Sequence, residues 1–185
     1  MRIAVAAAAV FGILAAGSGW GQEVEPPEGR VLEAAREVMK AAHYCFLVTL
    51  DSSGQPQARV MDPFDPEPDM VVWMGTNARS RKVSQLREDG RATLAYYDAS
   101  GMGYVTLIGS ARLVDDLVER RRHWKPEWEP FYSEGPESDD YLLLEFEPSR
   151  IEVMSFTHGV GADPSGFSPA ILDRSGSGWV LRGGS

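Results

Sequence analysis

The sequence predicts a mainly β domain in which six or seven short antiparallel strands form a closed or nearly closed barrel, flanked by a few helices. Three observations lead to this prediction. Short runs rich in β-branched and aromatic residues alternate with turn residues, and helical periodicity is confined to a few segments. The 185 residues, of which 43% are hydrophobic, are enough for the core of one domain but would be cramped as two.

The first 22 residues are typical of a secretory signal peptide. Arg2 precedes an apolar run from Ile3 to Ala16, and small residues follow that run before Trp20. A retained membrane anchor is the alternative, but the run is shorter than the roughly 20 residues that span a bilayer. We therefore expect residues 1–22 to be removed and the mature protein to be periplasmic or secreted, without stable membrane association.

The bounds of the domain follow from changes in composition. Residues 23–29 are acidic and rich in proline, which predicts an exposed leader. A helix is expected from Arg30 to Ala42, because apolar residues recur there at intervals of three and four. Gly, Ser and Pro dominate residues 158–185, where we expect an extended or mobile tail. The domain itself is thus predicted to occupy residues 30–157.

Strand patterns and turn residues alternate through this domain. The first two strands should pair as a hairpin across the turn at 51–54, and three prolines make 62–69 a connection. Thr76 or Asn77 is expected to cap the helix after the third strand, and Pro148 should separate the last two strands. The predicted elements are strands 44–50, 57–61 and 70–74, a helix ending at Glu88, strands 91–97 and 104–113, a helix at 115–124, and strands 141–146 and 151–156.

Charge and residue counts exclude several classes of function. The formal net charge of −9 argues against nucleic acid and anionic lipid as partners, since both select for surplus Lys and Arg. Cys45 is the single cysteine, so no intramolecular disulfide forms, and its apolar neighbours indicate a buried hydrophobe. The three histidines show no metal-ligand spacing, and no nucleophile-elbow or Walker motif is present.

A group of cations stands out in this acidic chain. Arg79, Arg81 and Lys82 follow a buried strand directly, beside hydroxyl residues and the start of a helix. Positive potential and preorganised donors of this kind suit a phosphate group. The alternative is that the cations form only the solvated face of an amphipathic helix.

The chain resembles the pyridoxamine 5′-phosphate oxidase superfamily from about Val31 to Phe156. The matching motifs, in order, are Arg59-Val60-Met61, Gly75-Thr76-Asn77, Ser80-Arg81-Lys82, Arg91, and Tyr104 to Gly109. This resemblance implies an FMN-binding split β-barrel of Greek-key-like order, working as a homodimer with the cofactor at the interface.

The resemblance also implies roles for individual residues in FMN binding. In the family, the positions of Arg59, Arg81 and Lys82 bind the FMN phosphate, and those of Thr76 and Ser80 add hydrogen bonds. Phosphate binding by these residues would explain why the cations are grouped.

The same resemblance indicates where the flavin ring would lie. Backbone groups around Val60 and Met61 line the isoalloxazine ring in the family, and the resemblance implies that Gly75 is a further cofactor-binding position. Tyr104 occupies the position of a flavin-contacting glutamine, and Phe64 replaces a lysine that binds the substrate phosphate in the authentic oxidase. These departures argue against pyridoxamine phosphate oxidase activity.

A closer resemblance is to the general stress protein subgroup, in which His123-Trp124, an aromatic loop around Trp128 and Phe131, and the strand from Tyr141 to Phe146 recur in this order. Members of this subgroup resemble flavin binders with unassigned substrates. We expect an oxidoreductase that transfers hydride or electrons to an unidentified small molecule, with no residue assignable as catalytic acid or base.

Two other function classes remain open. The first is a non-catalytic binding protein for FMN, a deazaflavin or haem, in which His158 would be the axial ligand of haem. The second is an interaction module without a cofactor, in which Trp124, Trp128 and Phe131 would form the contact patch.

Overall fold

A computed structural model describes residues 27–161 and 167–182, so the predicted signal peptide and residues 23–26 of the leader lie outside the described residues. Two short 3₁₀ helices, Pro126–Trp128 and Gly135–Glu137, lie within the aromatic loop and its continuation. The helices are α1 (Pro27–Ala42), α2 (Arg81–Glu88) and α3 (Leu117–Arg122), and the strands are β1 (Cys45–Leu50), β2 (Pro56–Met61), β3 (Val72–Asn77), β4 (Arg91–Asp98), β5 (Gly103–Val114), β6 (Tyr141–Met154), β7 (Ala170–Ser175) and β8 (Gly178–Leu181).

The strands form one antiparallel sheet, which confirms the mainly β prediction. The hydrogen-bonded order is β2-β1-β4-β5-β6-β7-β8, and β3 pairs with the first half of β6. The described residues contain eight strands rather than six or seven. Within the described residues β2 and β3 do not pair, so the sheet is barrel-like but not closed. The candidate site lies in the gap between β2 and β3.

Helix α1 begins at Pro27, three residues before the predicted start at Arg30. Proline is favoured in the first turn of a helix, because backbone N–H groups there have no intrahelical acceptor and proline lacks such a group. The three residues at the end of the predicted leader therefore belong to the helix. The apolar face of α1 is buried against the main core, as its periodicity predicted, and consists of Val31, Ala34, Ala35, Val38 and Met39.

The two strands predicted on either side of Pro148 are one continuous strand, β6. Pro148 lies opposite Gly109, and the pairing register between β5 and β6 shifts at Ile108 and Gly109. A Cβ atom on Gly109 would overlap the Glu147 carbonyl oxygen and lie 2.8 Å from Pro148 Cα. An irregularity opposite glycine thus allows the proline, which donates no ladder hydrogen bond, to remain inside a strand.

The expectation of an extended or mobile C-terminal tail is wrong for most of the described part of residues 158–185. Strands β7 and β8 form a hairpin, and β7 pairs with β6 from Arg150 to Val153. Leu172 is fully buried, and Trp179 packs against the main core. The strand pattern was missed because the segment has only a few alternating apolar residues, and these lie among many turn-forming Gly, Ser and Pro residues.

The boundaries of β3 and α2 also differ from the prediction. Thr76 and Asn77 do not cap α2, because both continue the ladder with β6, opposite Leu142 and Tyr141. Ser80 takes the N-cap position instead, without a side-chain capping bond. Helix α3 begins at Leu117 and not at residue 115, since the Asp116 carboxylate accepts hydrogen bonds from the first turn.

Two groups of buried side chains fill the interior. The main core lies between α1 and the sheet and includes Cys45, which is 1% exposed, as the sequence predicted for an inert thiol. Burial raises the pKa of Cys45 to about 12. A smaller aromatic group, centred on Trp73, Trp128 and Tyr141, lies beside β3. No helix within the described residues is long and apolar enough to cross a membrane.

Candidate functional site

Arg59 is held in place on β2 by buried polar groups of β1 and α2. Its guanidinium donates to Thr49 Oγ1 at 2.5 Å, to the Leu47 carbonyl at 3.3 Å and to Gln85 Oε1 at 3.0 Å. The Thr49 hydroxyl also donates to Gln85 Oε1, at 2.6 Å. Neutral acceptors therefore orient the guanidinium without neutralising its charge. Sequence reasoning missed Thr49 and Gln85. The available signal was that both are polar residues at core-facing positions.

Lys82 lies at the start of α2 and reaches back to the end of β3. Its ammonium group donates to Thr76 Oγ1 at 3.0 Å and to Ser80 Oγ at 3.2 Å, and the two hydroxyl oxygens are 3.3 Å apart. Thr76 is buried because it belongs to the strand, whereas Ser80 precedes the helix. The structure thus brings together three of the residues that the sequence assigned to the phosphate.

The charges of these basic residues influence one another. Burial lowers the pKa of Lys82, and the nearby Arg59 charge lowers it further. Burial also lowers the pKa of Arg59, with a smaller contribution from the charge of Arg81. In the described part of the chain none of the three forms an ion pair with an acidic side chain, whereas Arg79 pairs with Asp140. The positive charges of the three residues therefore repel one another.

Arg81 occupies the edge of this cluster. Its side chain is exposed on α2 and borders a shallow depression with Asp51, Ser52 and Gln85 rather than the main cleft. Its charge nevertheless acts on Arg59. Arg81 is thus the exposed member of the cluster, whereas Lys82 and Arg59 are half-buried.

A cleft of about 550 Å³ opens between β2 and β3, beside Lys82. Thr76, Asn77 and Lys82 form its polar end, and the opposite end is apolar and aromatic. Five of the nine residues predicted to bind a cofactor are among those that line it. The lining residues are Val60, Met61, Asp62, Gly75, Thr76, Asn77, Lys82, Trp128, Phe131 and Tyr132.

The aromatic end of the cleft is fixed by Asp62, another residue that sequence reasoning missed. One carboxylate oxygen accepts from Lys125 Nζ at 2.6 Å, and the other accepts from Trp128 Nε1 at 2.9 Å. The Trp128 indole packs so closely on Gly75 that a Cβ atom at this position would overlap the ring. Gly75 thus makes room for Trp128 in the wall of the cleft.

Tyr104 and the histidines lie elsewhere. Tyr104 is on β5, opposite Tyr97 and Met154, and does not line the cleft. His158 is exposed, also outside the cleft lining, with its Nδ1 2.8 Å from the Ser155 hydroxyl. His123 is buried and stacks on Trp73, with the ring centroids 4.3 Å apart. No group of three potential metal ligands occurs in the described residues.

The proposed aromatic contact patch has less exposed surface than the sequence suggested. Trp128 is buried and Trp124 half-buried, whereas Phe131 is exposed. The indole of Trp128 is instead part of the cleft wall, where a planar apolar group can pack against it. The arrangement as a whole suits a ligand with an anionic group at one end and a flat apolar body at the other.

Comparisons with known proteins show the family and the fold. The family model described as pyridoxamine 5′-phosphate oxidase like matches residues 31–160. No curated protein is a significant match. The fold is similar to that of a protein related to general stress protein 26 from Clostridium acetobutylicum, with a TM-score of 0.63 and 20% identity over 71% of this chain and 92% of that one.

Two other solved structures are informative. A pyridoxamine 5′-phosphate oxidase-related, FMN binding protein from Nostoc punctiforme has a TM-score of 0.54 and 16% identity over 83% of this chain and 93% of that one. A heme binding protein from Mycobacterium smegmatis has a TM-score of 0.55 and 19% identity over 71% of this chain and 55% of that one. At these identities the similarities show the fold alone.

Proposed function

Because the chain belongs to the pyridoxamine 5′-phosphate oxidase-like family, we propose that it is an exported flavoprotein that binds FMN in the cleft between β2 and β3. One observation carries this proposal. Arg59 on a strand and Arg81 and Lys82 on a helix are close enough for the charge of Arg81 to act on Arg59 and that of Arg59 to act on Lys82, and none of the three has an acidic partner in the described residues. A phosphate would neutralise this cluster, and the hydroxyls of Thr76 and Ser80 would share in binding it.

The remainder of the cleft fits the other parts of FMN. The isoalloxazine ring would lie along Val60 and Met61, where the cleft is apolar, with Gly75 and Trp128 behind it. Both carboxylate oxygens of Asp62 are already engaged, which leaves this wall without a free anion. The flavin would supply the redox chemistry, while the protein orients it and excludes water.

The substrate is proposed to be a small molecule other than pyridoxamine phosphate. Phe64 lies near the site and packs edge-to-face on Trp128 at 5.7 Å, in place of the lysine expected in the authentic oxidase. An aromatic side chain gives a substrate phosphate no charge to bind. Oxidoreduction of an unidentified organic compound is therefore the activity that we propose.

A homodimer would complete the site. Val60 and Tyr104 lie on the same outer face of the sheet, because the register aligns Val60 with Phe46, Phe46 with Ala95, and Tyr97 with Tyr104. Tyr104 does not line the cleft of its own chain. The flavin contact that the family resemblance assigns to Tyr104 would accordingly come from the second subunit.

The test is to produce residues 23–185, record the visible spectrum and identify any released cofactor by mass. We expect a flavin spectrum and the mass of FMN. Substituting Arg81→Gln and Lys82→Gln together should weaken FMN binding by roughly 100-fold or more, the loss expected for two charge-assisted hydrogen bonds. A matched control, Arg79→Gln with Arg87→Gln, removes two exposed charges nearby and should leave FMN affinity within about threefold.

A colourless protein that ignores added FMN would overturn the proposal, and a haem or deazaflavin mass would replace the cofactor. Haem is the specific alternative, because the Mycobacterium smegmatis neighbour is a heme binding protein. His158 would then be required, and His158→Ala should abolish the haem spectrum. Its position outside the cleft lining favours the flavin.

Export is tested separately by sequencing the N-terminus of the protein made by its native secretion route. We expect a mature chain that begins near residue 23. An intact Met1 on protein from the cytoplasm would contradict export without affecting the FMN proposal.

A further inference from the structure

Thr49 and Gln85 together hold one edge of the Arg59 guanidinium. Arg59 Nη1 donates to the Thr49 hydroxyl and Nη2 donates to Gln85 Oε1, while the Thr49 hydroxyl donates to the same Gln85 oxygen at 2.6 Å. Thr49 is fully buried and Gln85 is 9% exposed. Because the two acceptors are hydrogen-bonded to each other, they occupy the edge of the guanidinium that lies between Nη1 and Nη2.

The other donor edge of Arg59 has no acceptor within the described residues. Nη1 also donates to the Leu47 carbonyl oxygen, so three of the five guanidinium N–H groups have acceptors. The two that remain, on Nε and Nη2, lie side by side on one edge of the planar group. Their spacing matches two oxygens of a phosphate, which arginine binds in this bidentate manner.

Helix α2 connects Arg59 to the rest of the cation cluster. Gln85 follows Lys82 by three residues, so the two side chains are neighbours on the helix surface. Lys82 donates to Thr76 on β3, whereas Gln85 accepts from residues of β1 and β2. One short helix thus fixes both cations, and the charge of Arg59 acts on Lys82.

The uncharged amide of Gln85 matters as much as its position. A carboxylate at this position would accept the same two hydrogen bonds, but it would neutralise Arg59 and repel a phosphate. We propose that Thr49 and Gln85 are positioning residues that hold the Nε–Nη2 edge of Arg59 for a phosphate group and thereby make the site selective for FMN over riboflavin. This inference rests on the proposed function, because it assigns the FMN phosphate to the same cluster.

Gln85→Glu tests the proposal, because it keeps the shape of the side chain and both acceptor bonds while it adds a negative charge. Cofactor-free protein, residues 23–185, is titrated with FMN and with riboflavin, and flavin fluorescence reports binding. FMN affinity should fall by roughly tenfold or more and riboflavin affinity should stay within about twofold, since only FMN carries the phosphate. If Gln85 merely supported the fold, the two affinities would fall together, or glutamate would preserve both by pairing with Arg59.

Arg87→Gln is the matched control for the added charge. Arg87 is exposed on the same helix, and its substitution makes the net charge more negative by one unit, as Gln85→Glu does. Both flavin affinities should stay within about twofold.

Thr49 gives a second pair of variants, which keeps the test decisive if Gln85→Glu does not fold. Thr49→Val removes the hydroxyl at nearly constant shape and should weaken FMN binding by roughly tenfold, as expected for a hydrogen bond to a charged group. Thr49→Ser keeps the hydroxyl and should restore most of the FMN affinity. Riboflavin affinity should not change in either variant.

NMR of the isotope-labelled, cofactor-free protein gives a readout that needs no flavin. The Nε–H signal of Arg59, identified by its loss in Arg59→Lys, should shift when inorganic phosphate is added, and much less in Gln85→Glu. A shift with phosphate in a protein that ignores FMN would overturn the proposed function but not the phosphate role of this edge. Equal FMN affinity of Gln85→Glu and the unaltered protein, or an Nε–H signal that does not respond to phosphate, would overturn the inference alone.

Discussion

At the scale of single residues, the cationic side chains of the candidate site are oriented by hydrogen bonds to uncharged acceptors. Lys82 donates to two hydroxyls and Arg59 to a hydroxyl, an amide oxygen and a carbonyl. Hydroxyls and amides fix the geometry of a cation without reducing its charge, whereas a carboxylate would do both. The site is therefore built to keep its positive potential for a ligand.

The lowered pKa of Lys82 leads to a prediction for pH dependence. Burial and the Arg59 charge favour the neutral amine, so free Lys82 loses its proton at a lower pH than an exposed lysine. FMN affinity should consequently fall as pH rises through this lowered pKa, in a window that begins below the ordinary lysine range. Fluorescence titration of FMN from neutral to alkaline pH measures the effect.

Two controls isolate the contribution of Lys82. Lys82→Arg retains its charge over the whole window, so its FMN affinity should be flat there. Riboflavin has no phosphate, and its weaker affinity should not follow the same curve. An equal decline for Lys82→Arg and the unaltered protein would show that another group titrates.

Gly75 gives a second prediction at this scale. Replacing Gly75 with alanine would place a Cβ atom into the Trp128 ring and 2.9 Å from Tyr141 Cε2. We expect Gly75→Ala to lower the free energy of unfolding by about 1–3 kcal/mol, because overpacking forces neighbouring side chains or backbone to move. Urea denaturation measures the change.

The control for Gly75→Ala is Gly178→Ala, whose Cβ would lie 3.9 Å from the Ser175 carbonyl oxygen, an ordinary contact. Trp128→Leu in the Gly75→Ala background should restore part of the lost stability by removing the overlap. A Gly75→Ala protein as stable as the unaltered one would mean that the Trp128 indole does not pack against β3.

The sequence predicts those site residues that are neighbours along the chain, but not those whose partners are distant in sequence. The cluster of Ser80, Arg81 and Lys82 is local, so it is visible in the sequence. Thr49, Gln85 and Asp62 act on residues 10 to 66 positions away, and no local pattern reports which partner they will meet. Their polar character at buried or half-buried positions was the available signal.

At the scale of elements, the strand predictions succeeded where clear turn residues separate two strand patterns, as in the hairpin of β1 and β2. They failed where tertiary pairing overrode local chemistry. Pro148 remains in β6 because Gly109, its partner on β5, has no Cβ atom to overlap the backbone there. Gly109 is 39 residues away from Pro148 in the sequence. Turn residues likewise concealed β7 and β8, which join the sheet because β7 pairs with β6 and β8 pairs with β7.

The C-terminal hairpin provides a prediction that separates a structural element from a tail. Leu172 on β7 is fully buried, whereas Val180 on β8 is 51% exposed. Leu172→Ala should lower the free energy of unfolding by about 2–5 kcal/mol through lost burial and a cavity. Val180→Ala is the matched control and should change it by less than about 1 kcal/mol. Equal denaturation midpoints for the two variants would indicate that the hairpin does not dock on the core.

At the scale of the whole molecule, the outer face of β2, β1 and β4 is unusually apolar for a chain with a net charge of −9. Val60, Phe46 and Tyr97 on these strands are 58%, 52% and 62% exposed. The register places Val60 next to Phe46, and Phe46 next to Ala95 on β4, two residues before Tyr97. Adjacent exposed apolar side chains form a patch that favours association with a complementary surface.

The proposed homodimer would cover this patch by a two-fold contact of the face with itself. Phe46→Glu should then convert the mature protein from dimer to monomer, because two symmetry-related carboxylates would be buried in an apolar interface. Sedimentation equilibrium measures the change. FMN affinity should fall in the same variant, since each cleft would lose the Tyr104 side chain contributed by the other subunit.

Val118→Glu is the control, because Val118 is 71% exposed on α3, away from the sheet face, and its substitution should leave both mass and FMN affinity unchanged. Tyr104→Ala separates FMN binding from dimerisation, because it should weaken FMN binding in a protein that remains dimeric. A mature protein that is monomeric yet binds FMN tightly would contradict the dimer while leaving the phosphate site intact. The proposed phosphate contacts lie within one chain, whereas the proposed ring contact of Tyr104 requires two.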